Sequence, residues 1–224
     1  MGVLIVIDGV DASGKQTQSK LLSERLKHEG NDVKMISFPA YDKPSSTLVK
    51  MYLNGDFGEK PSDVNAYATS TFYAADRFST YRTDWGSDYN TGTIILADRY
   101  VSSNLIHQAS KIDTDDEKDK FISWLDDLEH NIYSLPRPDV TVFLDMPPEY
   151  GIELMRDRAN KADGTDKKDI HESDFEYLKK SYENAVYVAN RCGWKRISCV
   201  NNGELRSVEE IHEDIYSTIK EYLP

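Results

Sequence analysis

Ten residues near the start of the chain, Gly9-Val-Asp-Ala-Ser-Gly-Lys-Gln-Thr-Gln18, have the types and spacing of a phosphate cradle. Such a cradle needs glycines, so that backbone N–H groups can approach an anion. It also needs a lysine to reach the terminal phosphates and a helix N-terminus for its positive dipole. Gly9, Gly14 and Lys15 meet these needs, and Ala12, Ser13, Gln16 and Thr17 fill out the stretch. The pattern G-x-x-x-x-G-K-[ST] asks for a magnesium-holding hydroxyl where this chain has Gln16. Thr17 offers a hydroxyl one residue later. Because Mg²⁺ keeps much of its hydration shell, it can be held largely through water and substrate oxygens. The plainer reading is a glycine-rich turn with a solvated lysine.

A second group, Asp98-Arg99-Tyr100, ends an apolar run. Its carboxylate can organise Mg²⁺ or its waters, or simply cap the following turn. Its guanidinium can clamp a phosphate with two parallel hydrogen bonds, which an ammonium cannot mimic, or pair with a neighbouring carboxylate.

These groups need a scaffold that presents them together. Val3–Ile7, Val33–Phe38, Thr93–Ala97, Val140–Leu144 and Arg196–Val200 are continuous apolar or β-branched runs, as in strands buried on both faces of a parallel sheet. Between them apolar residues recur at helical spacing: Leu22 and Leu26; Phe121, Leu125, Leu128 and Ile132; Leu178, Tyr182 and Val186; Val208, Ile211, Ile215 and Ile219. Ser207 and Glu210 form a capping box after the turn signal Asn202-Gly203. Alternating strands and helices predict an α/β sheet with right-handed crossovers, and ligands bind such sheets at the carboxyl ends of the strands. The cradle and Asp98-Arg99 both fall there.

The 224 residues fit one domain spanning 1–224. A net charge of −12 argues against sequence-independent binding to nucleic acid or anionic membranes, which requires a basic face. No run of 18 apolar residues and no basic-then-apolar leader is seen, so a cytoplasmic location is expected. Cys192 and Cys199 lack metal or redox spacing and read as packing residues.

Taken in order, the motifs resemble the bacterial-type thymidylate kinases of the P-loop nucleoside monophosphate kinase family. The likeness runs from Ile7-Asp-Gly-Val-Asp11 and Gly14-Lys15 through Phe38-Pro39, Phe72-Tyr-Ala-Ala-Asp-Arg77, Asp98-Arg-Tyr100, Leu135-Pro-Arg-Pro-Asp139 and Phe143-Leu-Asp145 to His212-Glu-Asp-Ile215. The resemblance implies a five-stranded parallel sheet flanked by helices, with a mobile lid over about 156–173. It also implies transfer of the γ-phosphoryl group of ATP to dTMP with Mg²⁺, giving dTDP and ADP. Such transfer asks a protein to align two anions and neutralise charge rather than supply a covalent nucleophile.

On this likeness Lys15 and the loop amides hold the ATP phosphates, Asp98 serves the metal with Thr17 a weaker candidate, and Arg99 clamps the acceptor phosphate. Asp11 accepts from the sugar 3′-hydroxyl, while Asp8 orients neighbouring groups. Tyr73 stacks on the base four residues before Arg77, which meets the thymine carbonyl, with Phe72 beside it; both rings read alternatively as core residues of a long helix, the favoured reading for Phe72. Phe38, Ser103 and Asn104 line the acceptor side. His107 stands where relatives carry Tyr or Phe near the sugar 2′ carbon. Many relatives place an arginine shortly after Phe-Pro. Here Tyr41 or Lys43 could substitute, or Arg99 acts with less help. Ala12 replaces a basic loop residue of some relatives, which moves the missing cation to the lid, with Arg156 and Arg158 foremost. Relatives are usually homodimers, and the helix expected over Asp63–Trp85 offers an apolar face that reads equally as core. The alternatives are a kinase for dUMP or UMP, a deoxynucleoside kinase, and a nucleotide-binding relative without catalysis.

Overall fold

The computed structural model describes residues 1–152, 154 and 175–224. Five strands form one parallel sheet: β1 (Leu4–Gly9), β2 (Val33–Ser37), β3 (Ile94–Asp98), β4 (Val140–Asp145) and β5 (Lys195–Ser198), in the order β2-β3-β1-β4-β5. The central strand β1 is buried along its whole length. Its side chains alternate between two cores, as the two-residue strand period requires. Ile5 and Ile7 face Leu22 and Leu26 of α1 (Lys15–His28) and Ile211, Ile215 and Ile219 of the C-terminal helix Val208–Ile219. Leu4 and Val6 face Trp85, Tyr100, Leu105, Phe121 and Leu125. Burial of each such side chain is worth roughly 1.5–3 kcal/mol, and it explains why β1 reads as unbroken hydrophobic sequence.

Three regions depart from the sequence expectations. The helix expected from Asp63 begins instead at Ala66, where the Asn65 side chain caps Ala68 N–H. It follows α2 (Thr47–Leu53), runs as α3 to Thr80, loosens into a π turn over Tyr81–Trp85 and continues as α4 over Gly86–Thr91. The helix carrying Phe121 and Leu125 spans Asp115–Asp126 and then also becomes a π turn, Asp127–Ile132. The wider turn rotates the inward face, so Ile132 is 65 % exposed while Glu129 is fully buried. The fifth strand stops at Ser198, and Val200–Asn201 pairs with Glu204–Leu205 in a small hairpin. Asn202 and Gly203 both take positive φ there, 52° and 82°, as a tight mirror-image turn requires. The capping box at Ser207 and Glu210 forms as expected. Cys199 is buried, but Cys192 is exposed, so only one cysteine serves packing. Among the described residues no helix is long and apolar enough to cross a membrane.

Candidate active site

Asp98 at the end of β3 lies in register with Ile7 of β1, so the loop after β1 and the turn after β3 emerge side by side. The phosphate loop needs glycine at two positions for different reasons. A Cβ on Gly9 would meet Ser13 Oγ at 2.6 Å and the Leu144 carbonyl at 2.8 Å, whereas Gly14 has open space but a φ of 86°. The turn lets Lys15 fold back, donating to the Val10 carbonyl at 2.6 Å and Ser13 Oγ at 3.3 Å. Burial, helped by the nearby Arg99 charge, lowers the Lys15 pKa to about 8. Gln16 and Thr17 are exposed on the first turn of α1.

Asp8 is fully buried and accepts from Gly9 N–H at 2.8 Å, Ser102 Oγ at 2.6 Å and Ser103 Oγ at 2.9 Å. It thus ties the loop to the helix α5 (Val101–His107), the orienting role read from the sequence. Asp98 is buried as well, and desolvation raises its pKa against the pull of Arg99 and Lys15. Arg99 follows in the left-handed region at φ 68°. Its guanidinium pairs with Asp11 and donates to Ser103 Oγ at 3.2 Å and the Gly9 carbonyl at 3.4 Å, with His107 Nε2 at 3.2 Å. Burial opposes its charge, but Asp11, Asp8 and Asp98 outweigh that and raise its pKa.

Arg99 and Asp11 also line a pocket with Phe38, Tyr41, Tyr73, Arg77, Ser103, Asn104 and His107. The structure therefore gathers nearly the whole acceptor set expected from the sequence. Phe72 is the correction. It packs on Phe57 with ring centroids 5.6 Å apart and on a small cluster of Val49, Tyr52 and Leu53 that Tyr73 also meets, and Phe72 itself does not reach the pocket lining. The position was ambiguous because neighbouring helical residues point about 100° apart, and only Tyr73 turns toward the cavity. Tyr41, 53 % exposed, reaches the pocket, whereas Lys43 pairs with Asp42 and Asp84, each at 3.7 Å. Arg156, Arg158 and the lid segment about 156–173 lie outside the described residues.

Two contributors, Asp76 and Glu129, escaped the sequence reading, and Asn104 has a contact beyond the one expected. Asp76 accepts from Ala40 N–H at 2.8 Å and holds the loop after β2 against α3. Asn104, besides lining the pocket, donates to the Ser70 carbonyl at 3.2 Å, fixing α5 to α3. Glu129 accepts from Arg77 Nε at 2.7 Å and also from its Nη2, with both side chains almost fully buried. Helical spacing pointed to Leu128 and Ile132 as the inward residues, so the π turn hid Glu129.

Comparison with known proteins agrees with this geometry. The thymidylate kinase family model matches residues 7–215. The chain is 32 % identical over 186 residues to the thymidylate kinase of Mycobacterium tuberculosis, covering 83 % of this chain and 84 % of that one. It is 30 % identical over 226 residues to a probable thymidylate kinase of Thermococcus onnurineus, covering 99 % and 98 %. The solved thymidylate kinase of Candida albicans superimposes with a TM-score of 0.72 over 99 % of this chain and 92 % of that one, at 24 % identity, and so shares the fold. The phosphate loop, the adjoining acceptor pocket and these matches together place the chain in the thymidylate kinase family.

Proposed function

We propose that the protein transfers the γ-phosphoryl group of ATP to dTMP, giving dTDP and ADP. The observation that carries this reading is Arg99. It lines the pocket that holds Tyr73, Arg77 and Asn104, and it also donates to the carbonyl of Gly9 in the phosphate loop. A base held between Tyr73 and Arg77 would direct its 5′-phosphate toward Arg99, beside the loop whose amides and Lys15 take the donor phosphates. Arg99 would exchange its ion pair with Asp11 for the acceptor phosphate, which leaves Asp11 able to accept from the 3′-hydroxyl. Two cations positioned before the reaction neutralise charge as it moves between phosphates, the main demand of phosphoryl transfer.

The donor set suits Mg²⁺: Asp98 is a buried carboxylate at a strand end beside Lys15, and it would hold the ion through water, with Thr17 a weaker contributor. The ion would supply further neutralisation of phosphate charge. Of the lid cations, Arg156 and Arg158 are proposed to complete the ATP side. The same reading keeps one domain over 1–224, a cytoplasmic location, and a homodimer, which the half-exposed rings of Tyr67 and Phe78 on α3 favour.

A coupled ADP-release assay with ATP and Mg²⁺ across dTMP, dUMP, UMP, dGMP and thymidine tests the proposal. Preferred turnover of dTMP is expected. Equal or faster turnover of UMP would move the specificity, and silence with all five would remove catalysis.

A further inference from the structure

Arg77 is 1 % exposed and Glu129 is fully buried, yet Arg77 lines the acceptor pocket and Glu129 does not. The carboxylate grips one side of the guanidinium, the Nε and Nη2 edge, through two hydrogen bonds. Nη1 meets the carbonyl of Tyr100 at 3.4 Å. A guanidinium carries five N–H donors in a rigid plane, so fixing the Nε side leaves donors on the terminal Nη1 and Nη2 edge and fixes where they aim. A buried ion pair is seldom the cheapest way to fill space, because desolvation offsets most of the attraction and apolar residues often serve as well. The helix reaches this pair only by widening into the π turn Asp127–Ile132, which turns Glu129 inward and leaves Ile132 exposed. Such turns recur at functional sites.

We propose that Glu129 is a positioning residue for acceptor recognition. It holds the Arg77 guanidinium so that its terminal edge meets a base carrying a carbonyl and rejects a base that carries an amino group at that place. This rests on the acceptor assignment given above. Glu129 touches no substrate atom and acts through Arg77. A pyrimidine with a 4-carbonyl accepts from the terminal edge. One with a 4-amino group turns a donor toward donors and leaves both unpaired, a mismatch that a buried site penalises strongly.

The test compares the wild type with Glu129→Gln and Glu129→Asp, using dTMP and dCMP as acceptors and ATP as donor. The wild-type protein first establishes whether dTMP is turned over and dCMP is not. Failure there is failure of the functional assignment, not of the role of Glu129. For Glu129→Gln, which keeps the shape and removes the charge, KM for dTMP should rise at least about 10-fold and the dTMP-to-dCMP preference should fall by a similar factor. KM for ATP and kcat should change by less than about 3-fold. Glu129→Asp keeps the charge and should recover part of the loss. Because an uncompensated buried arginine could prevent folding of Glu129→Gln, Glu129→Asp also stands alone: a weaker dTMP KM with relaxed discrimination supports the proposal. Unchanged dTMP KM and discrimination in a folded variant, with only thermal stability lowered, would show a structural ion pair and overturn it.

Discussion

Arg99 and Asp11 pair across the boundary between the acceptor pocket and the phosphate loop, with Asp8 a further 3.8 Å ion-pair partner of the same guanidinium. The arginine is thereby held in place before any phosphate arrives, at the strained backbone position that follows β3. Preorganised cations of this kind do not have to be assembled at the moment of reaction.

Replacing Arg99 by alanine should lower kcat/KM for dTMP by at least about 100-fold, the usual cost of removing a group that stabilises transferring charge. Arg99→Lys should recover only a minor part, since an ammonium cannot bond Asp11, Ser103 and His107 in the same plane. Steady-state kinetics of both variants decide the point, and a near-native Arg99→Lys would refute the bidentate role.

Lys15 should impose a pH limit on donor binding. Its pKa in the folded protein is lowered to about 8, so the loop loses its cation as pH rises through that value. With the free enzyme, kcat/KM for ATP is expected to fall above about pH 8 with a slope of one proton. Saturating ATP surrounds the ammonium with anions, so the corresponding fall in kcat should move to higher pH. A kcat/KM profile flat to pH 9.5 would contradict the lowered pKa.

Gln16→Thr should leave kcat and KM for ATP within about 3-fold of the wild type, because the side chain is exposed and the loop is closed by Lys15, Val10 and Ser13 instead. Titration of activity against Mg²⁺ is the sensitive measurement. Collapse of activity would show that the amide itself has a task.

His107→Phe removes an imidazole nitrogen 3.2 Å from Arg99 while keeping a planar ring in the pocket wall. Loss of a hydrogen bond to a charged group predicts a KM for dTMP about 10-fold higher, with KM for ATP unchanged. A change confined to ATP would place His107 on the wrong side of the reaction.

Stability should also respond to pH through Lys111. Its ammonium donates to Tyr52 Oη and the Val64 carbonyl, both at 3.0 Å, and to Thr69 Oγ1 at 3.3 Å, and burial alone lowers its pKa to about 7. Between about pH 7 and the ordinary lysine value the unfolded chain binds the extra proton. The contribution of Lys111 therefore becomes more favourable as pH rises, by up to about 1.4 kcal/mol per pH unit. Chemical denaturation of the wild type and Lys111→Met at pH 7 and pH 9.5 should show the difference between them shifting toward the wild type at the higher pH. An identical difference at both values would argue against the shift.

The sheet was legible because each central strand is buried on both faces and therefore written in unbroken apolar residues, and the phosphate loop because its backbone path dictates Gly9 and Gly14. The acceptor pocket was legible from Tyr73, Arg77 and Arg99, whose order carries the family likeness. The two π turns left no such mark. Sequence periodicity assumes 3.6 residues per turn, so it placed Ile132 in the core and passed over Glu129. Phe72 and Tyr73 were hard to separate for the opposite reason: aromatic residues suit a base stack and a small apolar cluster equally well, both pack on the Val49, Tyr52 and Leu53 cluster, and only Tyr73 also reaches the pocket.

The hydrogen-bonded seam between Leu4–Ile7 and Ile95–Asp98 has a consequence for how this chain can vary. The grips for the two nucleotides are cut from neighbouring edges of one ruler. A one-residue deletion in either strand would slide one grip past the other by about 3.3 Å, enough to break the hydrogen bonds now joining them. Length can drift at the exposed Asn202-Gly203 turn, where no grip is attached. In the seam it is geared to the gap between two phosphates.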